Sequence, residues 1–388
     1  MSLFDALLSV LTGLSLFGFF VGCGCVLFGL GGHGRRKYGP STVGVTVLKP
    51  LKGIDAGLYD NLKAIVLQDH EAMEIVFGCE DVHDPALDVA ERLAREYPER
   101  AIKIVRGGAK PGVNPKVRIL RAMLEEATHE WVLISDSNVR PRSTYVRNLL
   151  GVQARSSADL VHSLLSSAEG ESTGARLEEL HLCGWVASAI SLASMFGHPC
   201  VIGKSMLLRC EVLKSEFALP EVHDVLAEDY ILGARLSNRG EKVILSPDPL
   251  PVVTGGGGIS KFFERHVRWG QMRRRIAPGF FLGEVFANPT PFLLALVFFS
   301  PEPLQRWGLF FLSAKWALDG LLYVALAERP SMRTLVLAPM KDLLVPIMWA
   351  ISGVKRTVQW RGNRMLVSEG SRLTPLPPQA QTVRSPIG

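Results

Sequence analysis

Cysteine is scarce and unpatterned in this 388-residue chain. The six cysteines stand at positions 23, 25, 79, 183, 200 and 210, with no CxxC pair and no regular framework. That spacing argues against a disulfide scaffold and a structural zinc site. It leaves small buried hydrophobes in a reducing compartment. A Gly-x-Gly-x-x-Gly run after the first strand is also missing, which weakens a dinucleotide-binding reading. Zinc-finger spacing and an aromatic RNA-binding signature are absent too, so the formal net charge of +6 does not point to nucleic acid. Such mild basicity suits a membrane-facing surface or an anionic donor. The N-terminus has no basic start. It carries Asp5, and its bases come later, at Arg35, Arg36 and Lys37, which disfavours a cleaved signal peptide.

What the chain does have is apolar length at both ends. Hydrophobic residues make up 47% of it, and the mean hydropathy is +0.20, high for a soluble enzyme. Residues 6–30 are almost continuously apolar and long enough to span a bilayer. With the bases after them, the positive-inside rule places the N-terminus outside and the chain beyond Lys37 in the cytoplasm. Three more apolar blocks fall near 280–300, 307–327 and 335–352. The first contains Glu284, Asn288, Pro289 and Pro291 and reads as an interfacial or re-entrant helix as well as a span. In the second, Lys315 and Asp319 are four residues apart and can pair on one helix face. The bases Lys355, Arg356, Arg361 and Arg364 follow the last block. Two spans plus one interfacial helix would return them to the cytoplasm, although the sequence leaves the number of spans open. The segment after about 373 is rich in Pro, Gln and Ser and reads as disordered.

Between the membrane segments the pattern is βαβ. Strands are expected at 43–48, 74–77, 102–105 and 131–135, with helices at 58–67, 85–97 and from Asn114-Pro115 onward, where the chemistry is that of a cap followed by a first-turn proline. This rhythm implies an α/β fold with a mostly parallel sheet covered on both faces, whose ligands bind beyond the carboxyl ends of the strands. The expected division is a transmembrane anchor at 1–32, a cytoplasmic α/β domain at 40–276, interfacial and transmembrane helices at 277–354, and a cytoplasmic tail, partly disordered, at 355–388.

Three acidic sites fall where such a sheet would use them. Asp136-Ser137-Asn138 follows an apolar strand. A carboxylate there can hold Mg²⁺ or Mn²⁺ against a diphosphate, because hard cations take oxygen ligands. The second ligand position is Asn138, a neutral amide, and the same residues also suit a plain turn. Asp81 closes the second strand and could accept hydrogen bonds from a nucleoside, or cap the next helix, for which Asp84 is better placed. Glu228-Asp229 opens a helix. A general base for an alcohol and a dipole-stabilised helix start are both consistent with it. Asp224 would share a face with Glu228 if that helix began early, and local sequence does not choose between Glu228 and Asp229.

A basic helix is expected at 260–275. Arg265, Arg268 and Met272 fall on one stripe with Trp269 beside it. Guanidinium groups fork onto diphosphate oxygens and offset charge on a departing nucleotide. Arg273, Arg274 and Arg275 suit an anionic lipid surface. The Gly255–Gly258 run just before is a hinge or a plain linker.

Together these residues resemble membrane-bound glycosyltransferases of the GT-A fold, and more narrowly the ceramide glucosyltransferase family (family 21, family-2-like). The matching blocks are Leu48-Lys49-Pro50-Leu51-Lys52-Gly53, Gly107-Gly108 through Gly112-Val113-Asn114-Pro115-Lys116, Cys200-Val201-Ile202-Gly203-Lys204-Ser205-Met206, Ala227-Glu228-Asp229-Tyr230, Arg265-His266-Val267-Arg268-Trp269 and Trp360-Arg361. The resemblance covers roughly residues 40 to 365. It implies that Asp229 is the catalytic base, taking the proton from the primary hydroxyl of ceramide as that hydroxyl attacks UDP-glucose with inversion. It further implies that Lys49, Pro50, Asp81, Asp136, Arg265, Arg268 and Trp269 bind the nucleotide sugar, and that Asp136, with Asn138, holds Mg²⁺ or Mn²⁺. The implied partners are a UDP-sugar, ceramide or a similar lipid, and membrane lipid. The implied setting is multi-pass in a bacterial inner membrane. His181 and His198 are the nearby histidines for a further family position. Transfer of N-acetylglucosamine from UDP-GlcNAc to a hopanoid is the alternative from the same branch. A processive polysaccharide synthase would need more spans, and a non-enzymatic membrane scaffold would not need Asp229.

Overall fold

A computed structural model describes residues 2–33, 38–168, 170–360 and 363–376. Arg35, Arg36, Lys37, Arg361 and residues 377–388 lie outside them. Seven strands form one sheet: β1 Val45–Leu51, β2 Met73–Cys79, β3 Ala101–Arg106, β4 Trp131–Ser135, β5 Leu160–Ala168, β6 Ser205–Arg209 and β7 Val243–Val253, in the order β3-β2-β1-β4-β6-β5-β7. Alternating side chains sort to opposite faces, as the pleat requires. Val47, Phe77 and Leu133 enter one core with Leu62 and Leu93, while Leu48, Val76 and Ile134 enter the other with Leu120 and Leu232. The α/β fold with both faces covered is therefore present, and every βαβ element expected before residue 136 forms, with no end shifted by more than three residues.

The sheet is mixed, not simply parallel. β6 runs antiparallel to both β4 and β5. Its register sets Ser205 opposite Ser135, so the turn before β6 meets the end of β4. Asp136 N–H donates to the Lys204 carbonyl at 3.2 Å. This pairing has a chemical consequence, because it carries the Lys204 side chain to the Asp136 site.

Among the described residues, two helices are long and apolar enough to cross a membrane, Leu3–Leu30 and Glu302–Leu326, and a bent pair, Pro278–Ala287 with Thr290–Phe299, makes up to three. The bend of 42° at Asn288-Pro289 fits the interfacial or re-entrant reading of that block. The last block forms the helix Ala338–Val354, which carries buried Lys341 and Asp342. The expected Lys315–Asp319 pair forms at 2.7 Å and extends into a quartet: Lys341 lies 2.6 Å from Asp319 and 3.2 Å from Asp342, and Lys315 also contacts Asp342.

Most of the tail expected to be disordered, from 377 on, lies outside the described residues. Ahead of it, residues 357–360 and 363–375 fold back as a small antiparallel sheet, β8 Thr357–Trp360, β9 Asn363–Val367 and β10 Leu373–Pro375. Val358, Met365, Val367 and Leu373 bury against Leu226, and Leu226 N–H donates to the Ser371 carbonyl at 2.9 Å. Short strands with apolar residues supply this burial. This sheet braces the loop leading into Glu228-Asp229.

Candidate active site

A cavity of about 1000 Å³ opens beyond the ends of β1, β4 and the turn before β6. Its polar end carries Asp55, Lys116, Asp136, Asn138, Lys204, Glu228, Asp229, Arg265 and Arg268. Its apolar wall comes from the N-terminal helix (Gly18, Phe19, Gly22), the helix Ala187–Met195 and the first half of the bent pair, with Trp185 and Trp269 between the two ends.

Lys116 sits at the centre of the polar end. The Asn114 side chain caps its helix, accepting from Lys116 N–H at 2.8 Å and Val117 N–H at 3.3 Å, with Pro115 in the first turn. The cap aims the Lys116 ammonium at Asp136 (3.1 Å), Glu228 (3.2 Å) and the Gly203 carbonyl (3.2 Å). Burial works against this ammonium, yet the carboxylates of Asp136, Glu228 and Asp229 hold it above the ordinary lysine range. Lys204 donates to Asn138 Oδ1 at 2.8 Å and lies 3.4 Å from Asp136 Oδ2. Lys49 is fully buried beneath the same strand end, donating to the Asp136 carbonyl at 2.6 Å and to Ser135 Oγ at 3.2 Å. Burial pushes the Lys49 ammonium down to about 7, against the pull of Asp136 and Asp55.

The two acidic neighbours separate. The helix starts at Glu228, so Asp224 is not on it. Instead Asp224 accepts from Val113 N–H at 2.7 Å. Glu228 is buried, bonded to Lys116 and Asn114. Burial, reinforced by Asp229 and opposed by Lys116, pushes its carboxyl up to about 7. Asp229 is half-buried at the cavity and is fixed by two N–H donors, Gly203 at 2.5 Å and its neighbour Tyr230 at 2.8 Å. Gly203 permits this approach: a Cβ there would stand 2.8 Å from Asp229 Oδ2 and 2.9 Å from Lys116 Nζ.

Of the residues expected at the site, Pro50, Asp136, Asn138, Asp229, Arg265, Arg268 and Trp269 line this one cavity, and Lys49 lies directly under it. Asp81 is exposed and accepts from His83 N–H at 2.9 Å, while its neighbour Glu80 lines the cavity and pairs with Arg118. Arg265 pairs with buried Glu178 at 2.9 Å, and Trp269 packs edge-on to His266. His198 lines the cavity, whereas His181 is buried against Phe262 and His266. Arg273, expected at a lipid surface, is turned to the cavity instead. It pairs with Glu284. The Gly255–Gly258 run is packed on one side only: a Cβ on Gly174 would collide with the Gly258 backbone, while Gly256 and Gly258 are exposed. Sequence reasoning misses Lys116 and Lys204 as site residues. Both stand inside the matching blocks, and the resemblance assigns roles only to residues around them.

The donor set at Asp136 does not fit a divalent cation well. Both carboxylate oxygens face lysine ammoniums, the amide oxygen of Asn138 accepts from one of them, and no cluster of three or more His, Cys, Asp or Glu able to hold a metal occurs among the described residues. A hard cation would have to displace two fixed positive charges to reach its oxygens.

Comparison with known proteins adds an independent finding. The family model for glycosyl transferase family 21 matches residues 14–373. Ceramide glucosyltransferase 3 of Caenorhabditis elegans is 25% identical over 353 residues, covering 88% of this chain and 77% of that protein. Ceramide glucosyltransferase of Komagataella phaffii (strain GS115 / ATCC 20864) is 30% identical over 250 residues, 59% of this chain and 47% of that one. The chain thus spans three quarters of one curated relative and about half of the other. Among solved structures, mannosyltransferase PcManGT from Pyrobaculum calidifontis in complex with GDP-Man and Mn²⁺ overlaps at 16% identity with a TM-score of 0.48, covering 89% of this chain and 98% of that one. S. aureus TarS 1–349 in complex with UDP-GlcNAc overlaps at 14% and 0.40, covering 85% and 98%. Neither overlap identifies a donor or a metal for this chain.

Proposed function

The chain belongs to glycosyl transferase family 21, and from that membership we propose that this membrane-associated glycosyltransferase moves glucose from UDP-glucose to the primary hydroxyl of ceramide, giving β-glucosylceramide. The observation that carries the reading is the single cavity, which joins a cation-rich end and a fixed carboxylate to an apolar wall built partly by the N-terminal membrane helix. The names of the similar proteins supply the sugar and the lipid.

In this scheme the lipid lies along the wall of Phe19, Trp185 and Leu192 with its hydroxyl at Asp229. Asp229 takes the hydroxyl proton, the oxygen forms its bond to the anomeric carbon, and the bond from that carbon to the diphosphate oxygen breaks on the opposite side, inverting the centre. Charge that develops on the departing UDP faces Lys116, Lys204 and Arg268, donors fixed before the reaction begins. Asp229 suits the base role better than Glu228. Its carboxylate is oriented by two backbone N–H groups and opens to the cavity, while Glu228 is buried against Lys116. The expected divalent cation has no step in this scheme. In this reading the catalytic domain lies on the cytoplasmic side of a bacterial inner membrane and the chain crosses that membrane more than once.

The test is transfer by the full chain in detergent, with UDP-glucose and UDP-GlcNAc each offered ceramide and a hopanoid polyol, products being read by mass spectrometry. β-Glucosylceramide from the first pair is expected. Product only from UDP-GlcNAc and the hopanoid would replace both the sugar and the lipid of this reading.

A further inference from the structure

The mismatch between the Asp136 site and a divalent cation has a counterpart one strand away. A cation bridging a strand-end carboxylate and a diphosphate is served by a second carboxylate two residues on, and position 138 offers an amide instead. The antiparallel register of β4 and β6 places Lys204 opposite this site, its ammonium 2.8 Å from Asn138 Oδ1 and 3.4 Å from Asp136 Oδ2. One carboxylate and one amide here face two ammoniums, Lys204 and Lys116, so the positive charge that a divalent cation would bring is supplied by the chain itself.

The geometry supports a working group and not a surface lysine. Lys204 keeps 13% of its side chain accessible, Asp136 25% and Lys116 19%, and all three line the cavity. An ammonium carries three N–H donors. Among the described residues, the hydrogen bonds of Lys204 go to Asn138 and Asp136, which leaves its third donor for the cavity. Lys116 holds the other Asp136 oxygen, so the two ammoniums flank the carboxylate and present two positive charges to any anion entering above it.

Resting on the nucleotide-sugar reading above, we infer that Lys204, with Lys116, takes the place of a divalent cation at the donor's diphosphate, so that this chain binds a nucleoside diphosphate without metal. Asn138 then serves to orient the Lys204 ammonium, a task that an aspartate would perform only by holding the charge back from the ligand.

The experiment is calorimetric titration of the full chain in detergent with UDP as the probe, in EDTA and again with Mg²⁺ or Mn²⁺. Wild type is expected to bind with affinities within about threefold of each other in the two conditions, and Lys204→Met to lose about tenfold or more in EDTA, the scale of a charge-assisted hydrogen bond to phosphate. The double variant Asn138→Asp/Lys204→Met restores the second carboxylate and is expected to regain UDP binding only when metal is added, which also shows that the altered site still folds. UDP binding by wild type only in the presence of metal overturns the inference and leaves the donor reading standing. Undiminished binding by Lys204→Met in EDTA overturns it as well. No binding of UDP in either condition overturns the donor reading, and the inference with it.

Discussion

One lysine–carboxylate cluster lies at the strand ends of the sheet and a second among the C-terminal helices. The second is sealed. Lys315, Asp319, Lys341 and Asp342 pair two against two with side chains only 2–4% exposed, and Trp316 and Thr290 add hydrogen bonds to Asp342. The first is open. Lys116, Lys204, Asp136 and Asp229 all border the cavity, and their partners include backbone groups and an amide as well as opposite charges. Similar residue types therefore do different work. A closed, balanced set locks helices together, because any unpaired member would be stranded in a medium that cannot solvate it. An open set keeps charge directed at a ligand that has yet to arrive.

The largest effect expected from breaking this contrast is at Asp229. Asp229→Asn should lower lipid glycosylation about 10³-fold, the range for loss of a general base, with little change in melting temperature. Activity and thermal unfolding measured on one preparation check both halves. The sealed cluster should behave in the opposite way. Lys315→Met leaves Asp319 and Asp342 with one ammonium, Lys341, between them and should destabilise the chain by about 3–5 kcal/mol, read as a fall in melting temperature in detergent, with any loss of activity following loss of fold. A smaller effect is expected at Gly203→Ala, where the added methyl would displace Asp229 or Lys116. A shift of this kind should cost about 10–100-fold in kcat with only a modest loss of stability. The smallest concerns Glu228. Its folded pKa of about 7 exceeds the ordinary 4.5, so its contribution to stability is fully present below 4.5 and is lost as pH rises through 7. Glu228→Gln should therefore gain on wild type between pH 5 and 8, by on the order of 2 kcal/mol, visible as a melting-temperature difference that widens with pH.

Features set by near neighbours are legible in the sequence. The apolar runs, the βαβ rhythm and the Asn114 cap each follow from residues a few positions apart, and the helices and strands up to residue 136 form where those patterns place them. Non-local pairings are not legible in this way. Nothing in Gly203-Lys204-Ser205 says that its strand enters antiparallel beside β4, yet that register brings Lys204 to Asp136. Lys315 and Asp319 stand out at helical spacing, but Lys341 and Asp342 join them only across a helix interface. The sheet of β8, β9 and β10 is hidden because its strands are short and its partners lie near residue 226. At the site, the order of blocks locates Asp229, while the separation of Asp229 from Glu228 depends on the Lys116 hub, which the blocks contain but do not explain.

The central claim is that the fixed carboxylate and the membrane-helix wall serve one cavity. Ala193 lines the cavity from the helix that forms part of its apolar wall, so Ala193→Trp should take up space on the lipid side. The most direct measurement is the rate of sugar transfer to ceramide by this variant, with its UDP affinity determined alongside. Loss of transfer with UDP binding within about twofold of wild type is the predicted result, since a bulky ring there excludes the acceptor without touching the diphosphate end. Transfer at the wild-type rate would contradict the account, because the acceptor would then have to reach Asp229 by another route.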